Sequence, residues 1–179
     1  GEPRYLAIMI LTILINYIGA NYISRSKNDK HRKQILLLTI LLDLSFLFYF
    51  KYFNFVMDNI NAVFAMDIKF IDVIMPIGIS FYTFQALSYV VDVYRREVKV
   101  QRDIYKLALY ITLFPQLIAG PIVKYHDVDD QISDRDVTFD KVAYGVKRFI
   151  IGLAKKMLLA NTMGAVADKI FVLPVEQFD

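Results

Sequence analysis

Cysteine and tryptophan are both absent from this sequence of 179 residues, and histidine occurs only twice. Without cysteine there is no disulfide, no thiolate metal site and no cysteine nucleophile. The histidines, His31 and His126, stand outside any triad-like arrangement, and neither H-E-x-x-H nor G-x-S-x-G occurs. A glycine-rich phosphate loop and tandem repeats are also missing. The residues alone therefore identify no complete active site.

Apolar residues are in excess, at 56% of the chain with a mean hydropathy of +0.41, whereas soluble domains hold roughly 45–50%. Uncharged runs cover residues 5–24, 73–91 and 107–123. About 20 apolar residues suffice to cross the hydrocarbon core of a bilayer. The first run is longer than a signal-peptide core and ends in a basic cluster that stops translocation. These features predict an integral membrane protein.

The predicted fold class is all-α, a polytopic transmembrane protein with one membrane domain over residues 1–179. Its five membrane segments lie at about 5–23, 35–57, 73–94, 104–123 and 142–173. The short loops 24–34 and 95–103 are rich in lysine and arginine, whereas the loop 58–72 is acidic. The positive-inside rule therefore places both basic loops in the cytoplasm.

Polar side chains recur at helical spacing through the third segment, at Tyr82, Gln85, Tyr89, Asp92 and Arg96. Spacings of three and four residues put them on one helix face. Two interpretations remain open. The face is either an interhelical seam, with Asp92 and Arg96 paired, or the wall of a polar tunnel for a hydrophilic substrate. Asp43 in the second segment has the same ambiguity and could contact this face.

The fourth segment is interrupted, since "ITLFPQLIAGPIVKYH" (111–126) contains Pro115, Gly120 and Pro121 around a lone Gln116. Proline removes a backbone donor and glycine loosens a helix. The freed carbonyls must meet protein or water rather than lipid. This pattern predicts a kinked or re-entrant element near 113–123. A spanning segment would put the following loop outside the cell, and a re-entrant one would keep it inside.

The polar loop after this segment holds six aspartates between Asp127 and Asp140. They lack the EF-hand pattern, so no metal site is predicted. We expect Thr138 to be the N-cap of the fifth helix, because threonine accepts from the first-turn amides and acidic residues follow it.

Three ordered blocks carry a family resemblance: "MPIGISFYTFQALSYVVDVYRREV" (75–98), "LFPQLIAGPIVKY" (113–125) and "GVKRFIIGLAKKMLLAN" (145–161). Together they resemble signatures of the membrane-bound O-acyltransferases, in particular the bacterial alginate O-acetyltransferase branch, which also contains acetylases of other exopolysaccharides. The resemblance covers about residues 70–178, whereas residues 1–69 look only generically like the early helices of that family.

The resemblance implies a multi-pass protein of the bacterial cytoplasmic membrane, with helices around a central tunnel. Acetyl-CoA is the implied acyl donor on the cytoplasmic side. The implied acceptor is an exported polysaccharide, reached through a partner acetyltransferase outside the membrane. No nucleic-acid partner is predicted.

The signature histidine of the family lies in a later segment, after a stretch rich in tryptophan and arginine. It is expected beyond Asp179, so no catalytic role is assigned to His31 or His126. The chain is expected to be an N-terminal to middle fragment that is inactive alone.

The resemblance favours the tunnel interpretation for part of the polar face and for the broken segment. The substrate-tunnel candidates are Tyr82, Gln85, Tyr89, Asp92, Gln116 and Lys124. Lys124 and the pair Lys155 and Lys156 are expected either to attract the phosphates of a CoA-like donor or to anchor lipid headgroups. The alternatives are the branch that D-alanylates teichoic acids and a fragment of a transporter or flippase.

Overall fold

The computed structural model describes residues 3–66, 68–113, 121–133 and 135–172. Helices make up most of these residues and no strand occurs among them, so the predicted all-α class is confirmed. The chain divides into two compact units, residues 1–134 and residues 135–179.

The first unit contains α1 (Pro3–Arg25), α2 (Asp29–Phe64), α3 (Ile79–Arg95), α4 (Ile104–Thr112), a 3-10 turn (Tyr125–Asp127) and α5 (Asp129–Ser133). The second unit contains α6 (Phe139–Ala154), a π-helical segment (Lys155–Ala160) and α7 (Asn161–Phe171). Three helical stretches are long and apolar enough to cross a membrane: Tyr5–Arg25, Asp29–Phe64 and Phe139–Phe171.

Helix α2 extends beyond the predicted segment 35–57 at both ends. Asn28 caps it, because its side chain accepts from the amide of Lys30 at 2.9 Å. The helix ends where Ala65 adopts a left-handed φ of 49°. Its 36 residues measure about 54 Å, well beyond a hydrocarbon core of roughly 30 Å. Both ends therefore include polar turns that an apolar pattern does not detect.

Helix α3 begins at Ile79 rather than at the predicted residue 73. Residues 68–76 are not helical, and Gly78 has a φ of 79°, a conformation that L side chains rarely adopt. Pro76 and Gly78 therefore exclude the helix from this stretch instead of only loosening it. The 17 residues of α3 measure about 26 Å, slightly less than the hydrocarbon core.

Helix α4 covers only the first half of the predicted segment 104–123. It ends at Thr112, and Leu113 is already extended with a ψ of 112°. The sequence explains this end, because Pro115 has no amide hydrogen to continue the ladder. Residues 121–124 are not helical either. The nine residues of α4 measure about 14 Å, less than half of the hydrocarbon core.

The core of the first unit forms where α1, α3 and α4 meet. Ala20, Ile23, Val90 and Leu107 are completely buried there. Helix α1 also approaches α2 closely at Gly19, where an added Cβ would lie 2.4 Å from Oγ1 of Thr39. Only the hydrogen of a glycine fits at residue 19 at this distance, so Gly19 permits the close contact between α1 and α2.

In the second unit, α6, the π-helical segment and α7 run continuously over Phe139–Phe171, close to the predicted 142–173. The predicted N-cap is confirmed, since Thr138 accepts from the amide of Lys141 at 3.3 Å and Asp140 lies in the first turn. Lys155 and Lys156 open the π-helical segment and are exposed.

Candidate functional site

Four of the five polar residues predicted to share one face of α3 are buried on it. Tyr82, Gln85, Tyr89 and Asp92 each expose 5% or less of their surface. Arg96 departs from the face, because it is the left-handed C-cap of α3 with a φ of 65° and its side chain is exposed. The helical periodicity therefore identified a real interior face, which ends one turn earlier than expected.

Gln85 joins this face to the interrupted end of α4. Its side-chain amide donates to the backbone carbonyl of Tyr110 at 2.7 Å. That carbonyl lies in the last turn of α4, where intrahelical donors run out. A buried carbonyl without a donor is costly, so Gln85 supplies a partner that the broken helix lacks.

Tyr110 forms a similar hydrogen bond from its side chain to the backbone, in this case to the chain that follows the break. Its hydroxyl donates to the backbone carbonyl of Val123 at 2.7 Å, and the ring of Tyr110 packs edge-on against the ring of Tyr125, with centroids 5.1 Å apart. The chain that leaves α4 therefore returns to pack against α4.

Tyr125 brings the returning chain back to the level of the loop before α4. Its hydroxyl accepts from the side-chain amide of Gln101 at 2.8 Å and donates to Oδ1 of Asp129 at 2.6 Å. The backbone amide of Gln101 donates to the hydroxyl of Tyr89 at 2.9 Å, and the Tyr89 and Tyr125 rings meet at 4.9 Å. Burial and the bond to Asp129 raise the pKa of Tyr125 above its usual range, which keeps its hydroxyl protonated as a donor.

These contacts resolve the two interpretations of the fourth segment. Residue 101 precedes α4 and residue 125 follows the break, yet their side chains touch. A segment that crossed the membrane would separate these two residues by its whole thickness of roughly 30 Å. The two ends of the segment therefore lie next to each other, and this contact favours the re-entrant interpretation over the spanning one.

Two polar groups of the buried face are not used in this packing. The hydroxyl of Tyr82 and Oδ2 of Asp92 are buried and have no hydrogen-bond partner among the residues the structure describes. The prediction that Asp92 and Arg96 form an ion pair in a seam is wrong. Nη2 of Arg96 lies 3.6 Å from Oδ1 of Asp29 instead. Unused buried polar atoms are uncommon and mark a place where a ligand or another polar group fits.

The remaining predicted tunnel residues have different placements. Lys124 is exposed at the start of the 3-10 turn, close enough to Asp92 to interact with its carboxylate electrostatically, as is His126. His126 is half-exposed and contacts Asp127 at 2.9 Å. Gln116 and the Pro115 break lie outside the described residues. The assignment of these residues to a substrate tunnel stays a prediction.

A second buried polar contact lies between α1 and α2. The side-chain amide of Asn16 donates to both carboxylate oxygens of Asp43, at 2.8 and 3.1 Å, and both residues are buried. A contact of Asp43 with α3 was one possibility from the sequence, and the hydrogen bonds of its carboxylate join it to α1. Asn16 was not predicted to take part in this contact, although an amide within an apolar run is a signal for it.

Three partners of the returning chain were overlooked as well, namely Gln101, Tyr110 and Tyr125. Tyr110 and Tyr125 flank the break on its two sides, and Gln101 lies in the preceding basic loop. A search for polar side chains on both sides of the helix breakers would have found them.

Similarity to known proteins is extensive along this chain. It is 41% identical over 174 residues to a probable alginate O-acetylase of Pseudomonas syringae pv. tomato, which covers 94% of this chain and 34% of that protein. It is 36% identical to a probable alginate O-acetylase of Azotobacter vinelandii, over 94% of this chain and 35% of that protein. A peptidoglycan O-acetyltransferase of Helicobacter pylori is 28% identical, over 92% of this chain and 36% of that protein.

The chain thus spans about a third of the length of the curated relatives it matches. No family model matches the chain, and no solved structure matches it.

Proposed function

Since the chain belongs to the membrane-bound O-acyltransferase family, in its alginate O-acetylase-like branch, we propose that it is part of an enzyme that acetylates an exported polysaccharide. The observation that carries this proposal is the 41% identity over 94% of the chain. The donor proposed is acetyl-CoA, used from the cytoplasmic side. The enzyme is a multi-pass protein of the bacterial cytoplasmic membrane.

The proposed reaction is an acyl transfer from a thioester to a hydroxyl group. The acceptor oxygen attacks the acetyl carbonyl carbon, the carbon–sulfur bond breaks, and the thiol of CoA leaves with the proton that the hydroxyl gives up. Such a reaction needs a general base and donors for the developing oxyanion. The proposed base is the signature histidine of the family, and neither His31 nor His126 is proposed for that role.

This chain contributes a polar wall in an otherwise apolar membrane domain. The re-entrant element brings a broken backbone beside the buried face of α3, as expected where a polar substrate passes through a membrane protein. The hydroxyl of Tyr82 and Oδ2 of Asp92 are buried on that face without a hydrogen-bond partner in the described part of the chain, and they are the atoms we propose for contact with a substrate. Their proposed role is to hold a passing polar group, and no catalytic step is assigned to them.

The proposed partner is an acetyltransferase outside the membrane that passes the acetyl group to the polysaccharide. In this arrangement the positive-inside rule puts the loops 24–34 and 95–103 in the cytoplasm, on the donor side, and the acidic loop 58–72 outside, on the side of the proposed partner.

The experiment that tests the proposal expresses the full-length protein in a bacterium whose own polysaccharide acetylase has been deleted. The quantity measured is ester-linked acetate on the exported polysaccharide. Acetylation that returns with the protein supports the proposal, and a polysaccharide that stays free of acetate despite normal membrane insertion contradicts it.

Peptidoglycan is the second candidate acceptor, because the Helicobacter pylori relative is named a peptidoglycan O-acetyltransferase. Ester-linked acetate is therefore measured in the same cells on isolated peptidoglycan. Acetate that appears only there assigns the acceptor to the cell wall, whereas acetate on the soluble exopolysaccharide assigns it to the alginate-like class.

The tunnel interpretation has its own test in Tyr82→Phe, which removes one hydroxyl without changing the ring. Because that hydroxyl has no described partner, the variant should unfold like the unmodified protein but transfer less acetate. Tyr89→Phe is the matched control. It breaks the bond from the amide of Gln101 and should lose about 1 kcal/mol of stability. Full transfer by Tyr82→Phe would exclude this hydroxyl from the substrate path.

A further inference from the structure

A basic cleft of about 880 Å³ opens where the ends of α1, α2 and α3 meet the loop before α4. Its charged lining residues are Lys27, Arg32, Arg96, Lys99, Arg102 and Glu97. The volume falls in the range of roughly 300–1,000 Å³ that small-molecule sites occupy. Five positive groups against one negative group make the cleft suited to an anion.

The positive charge of the basic cleft is only partly compensated by the protein. Arg32 and Arg96 share one carboxylate, that of Asp29, each at 3.6 Å, and Asp29 is itself largely exposed. Lys27, Lys99 and Arg102 form no ion pair with any residue in the described ranges. Like charges around a concave surface repel one another, so an anion that enters the cleft relieves this repulsion.

The usual structural role of basic residues at helix ends is filled by other side chains. Arg25 and Arg95 lie in the last turns of α1 and α3, where a cation offsets the negative end of the helix dipole. Neither of them lines the cleft. The cleft residues are therefore basic residues in addition to those that stabilise the helix ends.

Arg32 is held in place before any ligand arrives. It exposes 5% of its surface, donates from Nη2 to the carbonyl of Tyr94 at 2.6 Å, and lies over the Tyr94 ring at 5.4 Å. Its Nε has no acceptor in the described part of the chain. A guanidinium fixed in this way loses little conformational freedom when an anion binds near it.

We propose that the basic cleft binds a phosphate group, either of a phospholipid headgroup or of a soluble phosphorylated ligand. Phosphate is the anion that matches the lining, because its several oxygens accept from arginine and lysine side chains at once. The proposal goes beyond acetyl transfer and does not depend on it, because binding is measured without activity.

The test uses the full-length protein and two probes. In the first arm, inorganic pyrophosphate is titrated against detergent-solubilised protein, with binding followed by the thermal midpoint at constant ionic strength. In the second arm, the protein is placed in nanodiscs of phosphatidylcholine with or without phosphatidylglycerol, and retained lipid is counted by native mass spectrometry.

The cleft variant is Lys99→Gln with Arg102→Gln, and the matched control is Lys30→Gln with Lys33→Gln. Both remove two exposed charges at the same end of the helices, but Lys30 and Lys33 do not line the cleft. The backbone carbonyl of Arg102, which accepts from the hydroxyl of Tyr17 at 2.7 Å, is unchanged by this substitution. The single variant Lys27→Gln serves if the double variant does not fold.

We expect the cleft variant to bind the phosphate probe more weakly, by about tenfold for each of the two side chains replaced. The reason is that each charge-assisted hydrogen bond to phosphate contributes about a factor of ten to the affinity. The control should bind like the unmodified protein. Binding of pyrophosphate identifies a soluble ligand, and binding of phosphatidylglycerol alone identifies a headgroup. No binding in either arm, or equal losses in the cleft variant and the control, would overturn the proposal.

Discussion

Replacing Gln85 with leucine tests whether α3 holds the re-entrant element in place. Gln85 is 3% exposed, and its amide donates to the carbonyl of Tyr110 at 2.7 Å. Leucine has a similar volume but no donor, so the carbonyl at the end of α4 loses this partner. An unsatisfied buried acceptor costs about 1–3 kcal/mol, and we expect Gln85→Leu to lose stability in this range.

The assay is equilibrium unfolding of the purified protein in mixed micelles. Gln34→Leu is the matched control, because it makes the same chemical change at an exposed position of α2, where we expect a change within about 0.5 kcal/mol. A second readout is the labelling rate of a cysteine placed at Val123, whose carbonyl is bound by Tyr110. Looser packing of the returning chain should raise that rate.

Two results would refute this reasoning. One is equal stability of Gln85→Leu and Gln34→Leu. The other is a normal labelling rate at residue 123 in a destabilised Gln85→Leu protein, since the loss would then arise somewhere other than the re-entrant element.

Three further predictions concern topology and the packing of α1. Cysteines placed at Glu97 and Asp130 should react with an impermeant reagent from the same side of the membrane. A cysteine at Asp58 should react from the opposite side. Labelling of residue 130 from the side of residue 58 would contradict a re-entrant segment. Asn16→Leu should destabilise the protein by about 3 kcal/mol because the Asp43 carboxylate loses both hydrogen bonds. Adding Asp43→Leu should restore much of that loss, and additive losses in the double variant would show that the two side chains are not coupled. Gly19→Ala should cost about 1–3 kcal/mol in unfolding experiments, because its Cβ would overlap Thr39. The control is Gly145→Ala in α6, whose Cβ would meet nothing within 4 Å in the described structure. This variant should stabilise the protein by about 0.5–1 kcal/mol. Equal effects of the two substitutions on the free energy of unfolding would contradict the close contact between Gly19 and Thr39.

Local features of the helices were accessible from the sequence because they depend on neighbours along the chain. Apolar runs located α1 and α2, and spacings of three and four residues located the buried face of α3. Thr138 was identified as a cap by its position before acidic and apolar residues. The Pro115 break likewise predicted a kinked or re-entrant interruption of the fourth segment near 113–123.

Partners across the fold were not accessible in this way, because a periodic pattern says which residues share a face but not what faces them. Arg96 was expected on the polar face, yet the left-handed C-cap turns it toward Asp29. A contact of Asp43 with α3 was possible from the sequence, and the structure shows its carboxylate bonded to Asn16 of α1. The direction of the fourth segment depended on contacts between residues far apart in the sequence, such as Gln101 and Tyr125, which are 24 residues apart.

The polar face of α3 is a seam at two of its positions, and the tunnel interpretation stays a prediction for the others. Gln85 and Tyr89 bind the backbone and loops around the re-entrant element, so at these positions the face is a seam. Tyr82 and Asp92, nearer the two ends of the helix, have buried polar atoms that no described residue uses. A buried polar atom without a partner destabilises the fold, so these two atoms mark positions where a further polar group fits. Their burial is accounted for if the seam positions the re-entrant backbone while the two ends of the face remain available to a polar ligand.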